Sequence, residues 1–325
     1  MKLDAPKRVD VISLVVPFYN EEEVIDRFFT EIRATLEALP GCDFEIVCVN
    51  DGSQDLTLDK LLKHSADDAR VRVVDLSRNF GKEAALTAGL DYATGDAIVP
   101  FDADLQDPPE TIAKLVEKWR EGFDVVIAKR AERTSDSYAK RSTASLFYRF
   151  HNTIADVRIP DNAGDFRLMS RATVDALKQL PENRRFMKGL FSWVGGRTAV
   201  VEYSRQPRAA GKTKFSGWKL WNFAIEGITS FSTWPLRVWT YIGSSTAFLA
   251  FLYGSVLVAR TIIHGRDVPG YASILTAILF LGGMQLVGIG VVGEYIGRIY
   301  LESKRRPVYV VRSVYEHKRD PHEAA

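Results

Sequence analysis

The chain has 325 residues, 46% of them hydrophobic, and its 43 Lys and Arg against 41 Asp and Glu leave a net charge of +2. That balance offers no basic field for nucleic acid, and the length predicts one or two domains at roughly 150 residues each. Cys42 and Cys48 are the only cysteines; they lack the spacing of a metal site, and free thiols are expected in a reducing compartment.

The N-terminal part alternates strand-like and helix-like stretches, which predicts a mostly parallel sheet covered by helices. Val11 to Val16 reads as the first strand, with Asn20 as a helix cap before Glu21, Glu22 and Glu23. Phe44 to Val49 is the second strand and ends in Asn50, Asp51, Gly52 and Ser53. Val71 to Leu76 is the third, followed by an Ala-rich helix over Gly81 to Ala93. Ala97 to Phe101 leads into Asp102 and Asp104, and Asp124 to Ala128 leads into Lys129 and Arg130. Ligands of such sheets bind at the carboxyl ends of the strands, where these polar clusters fall. Two carboxylates one residue apart on a strand point the same way and suit one hard divalent cation, which can clamp a diphosphate. The first strand lacks the G-x-G-x-x-G turn of a dinucleotide oxidoreductase, and no G-x-x-x-x-G-K-[ST] loop marks a nucleoside triphosphatase. His64 and His151 read as structural.

From Val238 to Ala259 and from Val268 to Gly293 the chain carries no charge. Each run is long enough to cross a hydrocarbon core of about 30 Å as a helix rising about 1.5 Å per residue. Trp234, Trp239, Tyr241, Tyr295 and Tyr300 suit interfacial anchors. Arg205, Arg208, Lys212, Lys214, Lys219 and Arg237 precede the first run, and Arg298, Lys304, Arg305, Arg306 and Arg312 follow the second. The positive-inside rule then places both termini in the cytoplasm, and the first residues lack the apolar stretch of a signal peptide. Between Gly211 and Trp234, apolar residues at helical spacing (Phe215, Trp218, Trp221, Ile225, Ile228) predict an amphipathic helix in the headgroup layer. Gly282, Gly283, Gly288, Gly290 and Gly293 equip the second membrane helix for close packing, homo-oligomer contacts included.

In order along the chain, VVPFYNEEE, VNDGSQD, LSRNFGKEAALTAGLDYATGD, FDADLQDPPE and GDFRLMS resemble the inverting family 2 glycosyltransferases of GT-A fold. FMKGLFSWVGG, GKTKFSGWKLWNFAIEGITSFSTWPLR and GGMQLVGIGVVGEYIGRIYLESKRRP extend the resemblance to the bacterial polyprenyl-phosphate glucosyltransferases, relatives of the dolichyl-phosphate mannose synthases. It implies a GT-A Rossmann-like, mostly parallel sheet with a C-terminal two-helix transmembrane hairpin. The expected division is a cytoplasmic enzyme domain over 1–210, an interfacial helix over 211–235, two membrane helices within 236–300 (about 236–262 and 270–296), and a basic tail over 301–325.

By the same resemblance, Pro17, Tyr19 and Glu21 border the nucleotide, with Asp51 at the base or ribose. Where many relatives carry two aspartates before Gly-Ser, this chain has Asn50 and then Asp51. Asp102, Asp104 and Gln106 match the metal and diphosphate positions, filled by Mg2+ or Mn2+. Arg130, Arg141 and Ser145 match acceptor-phosphate positions, with Lys140 beside them, and Arg208, Lys212 and Lys214 border the acceptor's path. Asp165 matches the position proposed as catalytic base. A lipid phosphate with a second pKa of about 6 is already a nucleophile at neutral pH and scarcely needs a base, so orienting a sugar hydroxyl or Arg167 is the other role for Asp165. The implied reaction moves glucose from UDP-glucose to undecaprenyl phosphate at the inner (plasma) membrane. Alternatives are another donor, GDP-mannose or a UDP-linked modified pentose, or a non-catalytic membrane component that senses nucleotide sugar. A processive synthase is disfavoured because no Q-x-x-R-W motif occurs.

Overall fold

The structure is a computed structural model that describes residues 9–131, 163–183, 185–204, 232–264 and 270–316. Its centre is an eight-stranded sheet in the order β7-β5-β6-β4-β1-β2-β3-β8. The strands are β1 (Asp10–Phe18), β2 (Cys42–Asn50), β3 (Val71–Leu76), β4 (Ala97–Pro100), β5 (Val125–Arg130), β6 (Ala163–Ser170), β7 (Thr198–Tyr203) and β8 (Val311–Tyr315). β1 lies between β2 and β4 and pairs with both in parallel; β2 with β3 and β5 with β7 are also parallel. β6 runs antiparallel to β4 and β5, and β8 runs antiparallel to β3. The middle of β1, Ile12 to Val16, is fully buried, as an apolar run covered on both faces must be.

Helices α1 (Ile25–Glu37), α2 (Thr57–Asp67) and α4 (Thr111–Arg120) lie over one face of the sheet. In α1 the buried residues Ile25, Phe28, Phe29, Ile32 and Leu36 recur at helical spacing and meet Ile12, Leu14 and Ile46 in a single apolar cluster. The other face is covered by α3 (Lys82–Tyr92), α5 (Arg171–Lys178) and α6 (Met187–Val194). α3 is buried from Ala84 to Leu90, and its small residues let it settle deep on the strands. A Cβ on Gly89 would overlap Val15 Cγ1.

The expected strands are present, but two local expectations fail. Asn20 caps no helix. α1 starts four residues beyond Asn20's neighbour Glu21, with Val24 at the cap position and no side-chain cap bond. Asn20 instead takes φ +52°, and its Oδ1 accepts the Gln54 amide at 2.9 Å, tying the exit of β1 to that of β2. The tail is the second difference. Residues 311–315 are not a free basic segment but the edge strand of the central sheet, so the boundary at 210 leaves out a strand. Its alternating sequence, VRSVY, meets the otherwise open edge of β3 and satisfies that strand's backbone.

Two helices, α7 (Trp234–His264) and α8 (Tyr271–Ser303), are long and apolar enough to cross a membrane, and they are not covered by the rest of the protein. Phe248, Phe251, Ile262, Phe280 and Leu286 stand exposed along them. The Trp239 ring lies against Gly288, where a Cβ would sit 3.4 Å from it. α8 runs beyond the expected end at 296, and its polar last turns reach the domain built on the central sheet. Glu302 accepts both the backbone amide of Asn183 (3.0 Å) and its Nδ2 (3.1 Å), and Tyr295 donates to the Ser232 carbonyl at 2.6 Å. The amphipathic stretch expected over 211–235 falls almost wholly outside the described residues.

One turn depends on a glycine. Gly52 has φ +64°, and a Cβ there would run into the backbone of Arg78 and Asn79. Gly52→Ala therefore combines left-handed strain with a backbone collision, an expected loss of about 2 kcal/mol or more. A fall of several degrees in the thermal unfolding midpoint of the solubilised protein checks this.

Candidate active site

The strand ends bring the predicted residues to one rim. Pro17, next to last in β1, is in register with Val49 of β2, Tyr19 follows the strand and is exposed, and the Asp51 amide donates to the Phe18 carbonyl at 2.9 Å. The Glu21 amide donates to Thr57 Oγ1 at 2.9 Å. Asp102 follows β4 and Arg130 ends β5. β6 is antiparallel to both of its neighbours, so its start, with Asp165, lies where β4 and β5 finish.

Asp51 is buried and clamps the loop after β3: its Oδ1 accepts the Phe80 amide (2.7 Å) and its Oδ2 the Gly81 amide (3.0 Å). Asn50 donates Nδ2 to Oδ1 of the buried Asp75 at 2.7 Å. An aspartate at position 50 would oppose two carboxylates out of water and force one to hold a proton. The amide at 50 thus follows from the carboxylate at 75.

The argument from strand alternation for Asp102 and Asp104 does not hold, because β4 ends at Pro100 and the two residues lie in the turn after it. Leu105 takes φ +52° there, and Asp104 Oδ1 accepts the Gln106 amide at 3.1 Å. Gln106 is buried. Among the described residues no three Asp, Glu, His or Cys side chains group as a ligand set. Two carboxylates fit a hard cation that takes its remaining ligands from substrate phosphate oxygens and water, the usual mode for Mg2+.

Sequence reasoning missed the group that joins these parts. Lys82, at the start of α3, places Nζ 2.7 Å from Asp102 Oδ1 and 2.9 Å from Asp165 Oδ2. Burial would lower the lysine's pKa, but the two carboxylates outweigh it and raise it, so the ammonium persists. Burial likewise works to raise Asp165, yet Lys82, Lys188 and Arg167 hold its carboxyl down at about 2. Asp165 Oδ1 has no hydrogen-bond partner among the described residues. Arg167, buried beneath the rim, lies with its guanidinium 4.3 Å from the centre of the Phe191 ring, and burial lowers it to about 10. Beside Lys82, burial and the Asp165 charge push the Glu83 carboxyl up to about 8; its Oε2 accepts the Met187 amide at 3.3 Å. The signal for Lys82 was its place in the motif LSRNFGKEAAL, a lysine opening a helix at a strand's carboxyl end.

Arg130 is partly buried and donates Nε to the Tyr203 hydroxyl at 3.3 Å, which donates to Asp107 Oδ1 at 2.6 Å. Burial and Asp107 push that phenol up to about 12, so it stays protonated as the link. Lys140, Arg141, Ser145, His151, Arg208, Lys212 and Lys214 lie outside the described residues.

Residues 13–177 match the family description Glycosyl transferase family 2, and residues 234–299 match the GtrB C-terminal hairpin. The chain belongs to glycosyl transferase family 2. It is a glycosyltransferase of GT-A fold with two candidate membrane helices. Among its relatives is a prophage bactoprenol glucosyl transferase homolog of Escherichia coli K12, 56% identical over 93% of this chain and 99% of that one. The bactoprenol glucosyl transferase of Shigella phage SfX is 57% identical over 93% of this chain and 99% of its own. Among solved structures, glucosyl-3-phosphoglycerate synthase from Mycobacterium tuberculosis with Mn2+, UDP-glucose and phosphoglyceric acid is 21% identical. It has a TM-score of 0.47, over 68% of this chain and 78% of that one. Within family 2, Lys82 and Asp165 lie inside the matched segment, while the sheet's last strand, β8, lies beyond both matched segments.

Proposed function

We propose that the chain transfers glucose from UDP-glucose to undecaprenyl phosphate, inverting the anomeric carbon, with its enzyme domain and both termini on the cytoplasmic side of the inner (plasma) membrane. What carries the reading is the agreement of two things: 56–57% identity across nearly the whole chain to proteins named bactoprenol glucosyl transferase, and a rim where Asp102, Lys82 and Asp165 meet. Basic residues flanking both membrane spans support the orientation.

In this reading Pro17, Tyr19, Glu21 and Asp51 border the nucleotide, and Asp102 and Asp104, with Gln106 beside them, hold Mg2+ or Mn2+ at the diphosphate. When bound, the cation offsets negative charge on the departing nucleoside diphosphate. Lys82 adds a fixed positive charge at the same rim, useful where charge develops in the transition state. Asp165, ionised at working pH, orients a sugar hydroxyl through Oδ1 rather than removing a proton, because a carboxylate held at about 2 is a weak base and the lipid phosphate needs none. Arg130, with Arg141 and Ser145, receives the acceptor phosphate, a task suited to the planar guanidinium fork.

The test is direct. Solubilised full-length protein is incubated with undecaprenyl phosphate and a panel of radiolabelled donors: UDP-glucose, GDP-mannose and a UDP-linked pentose. Glucose should enter the lipid fraction, and EDTA should stop its transfer until Mg2+ or Mn2+ is restored. Transfer from another donor alone would overturn the glucose assignment, and full activity in EDTA would overturn the metal.

A further inference from the structure

Arg312 is far from every group assigned above in sequence, yet it holds the loop that ends in Lys82. It lies on β8, after the membrane hairpin, opposite the end of β3. Its Nη1 is 3.3 Å from Oδ2 of Asp75, which is 1% exposed, and its Nη2 donates to the Ser77 carbonyl at 2.8 Å. The Ser77 amide donates to the Val310 carbonyl at 2.9 Å, so the first residue after β3 is gripped through both its backbone groups by the C-terminal strand and the residue just before it.

Residues 77–81 are therefore held from three sides. Arg312 and Val310 fix the entry, Asp51 takes the Phe80 and Gly81 amides at the exit, and Gly52 lies so close beneath Arg78 that no side chain fits. The residue that follows is Lys82, bridging Asp102 and Asp165. Asp75 serves the same clamp: one carboxylate oxygen takes Asn50 and the other takes Arg312. Without the guanidinium, the buried Asp75 carboxylate would keep a neutral amide but no counter-charge, and buried charge without a counter-charge is unfavourable.

We propose that Arg312 is a positioning residue for the donor site, acting through the 77–81 loop to keep the Lys82 ammonium between Asp102 and Asp165. The strand that follows the membrane hairpin is then part of the active site's support. The proposal rests on the donor-site reading above.

Two measurements on the full-length protein in detergent test it, with Arg312→Ala and Arg312→Lys as the variants. Hydrogen exchange needs no substrate: in Arg312→Ala the amides of 77–83 should exchange about tenfold faster while β1 and β2 keep their protection, a local rather than global opening. Arg312→Lys, which retains a charge opposite Asp75, should recover most of the protection. Unchanged exchange at 77–83 in Arg312→Ala overturns the proposal.

The kinetic arm is a double-mutant cycle. Arg312→Ala should lower kcat/KM for the nucleotide sugar about tenfold and leave the KM for the lipid phosphate within about twofold, and in a Lys82→Met background it should cost little more, since both changes remove one device. Equal losses in both backgrounds would show that Arg312 does not act through Lys82 and would overturn the proposal. If the wild type transfers sugar from no donor in the panel, the assigned reaction has failed, and the exchange result still decides whether Arg312 holds the loop.

Discussion

Replacing Asp102 and Asp104 together with alanine should reduce sugar transfer by about a thousandfold, the upper part of the range seen when a single group stabilising transition-state charge is removed. The change removes both carboxylates that would hold the proposed cation and also deprives Lys82 of one of its two partners. Lys82 then remains paired with Asp165 alone, so the fold should survive: the sheet and its two apolar clusters do not depend on the turn after β4. Steady-state turnover with UDP-glucose, next to a thermal unfolding midpoint within a few degrees of wild type, checks both halves. Full-speed transfer by the double variant would remove the basis for a metal-held diphosphate at this rim.

The second large effect belongs to Asp165. Asp165→Asn should lower kcat about a hundredfold, the cost of misplacing a reacting group by about an ångström, while the acidic limb of the pH–rate profile stays where it is. The sign follows from the shift. Lys82 and its basic neighbours hold the carboxyl down at about 2, so between pH 5 and 9 it is already fully ionised and nothing in that window reports its protonation. Any stability that the pairing contributes is present above the ordinary aspartate value of 3.8 and is lost as the pH falls toward 2. A limb that vanishes in the variant would instead identify Asp165 as the group accepting a proton. The asparagine also leaves Lys82 with one anionic partner in place of two, so part of the loss comes from a less firmly seated ammonium.

The central sheet was legible because its strands are apolar runs that end in polar clusters, and both long apolar helices because an uncharged stretch of that length has few other uses. Asp102, Asp104 and Asp165 were legible from motifs. Lys82 was not: its motif places a lysine at a helix start, but its two carboxylate partners appear only when the exit of β3 meets the turn after β4 and the start of β6. Asn20 misled because a residue of cap type before three glutamates also serves a turn with positive φ, and the cross-strand bond to Gln54 won. β8 was hidden for another reason. Five residues after a basic stretch look like a tail, and the partner of Arg312 at Ser77 is 235 positions away.

That late strand has a consequence for how the protein is made. Synthesis proceeds from the N-terminus, so β3 emerges early and stays an uncovered edge, a template for unwanted pairing, until both long apolar helices have been made and the chain returns. On the proposed membrane topology, the last structural piece of the sugar-handling domain is delivered only after anchoring, which ties maturation of the enzyme to its arrival at the membrane.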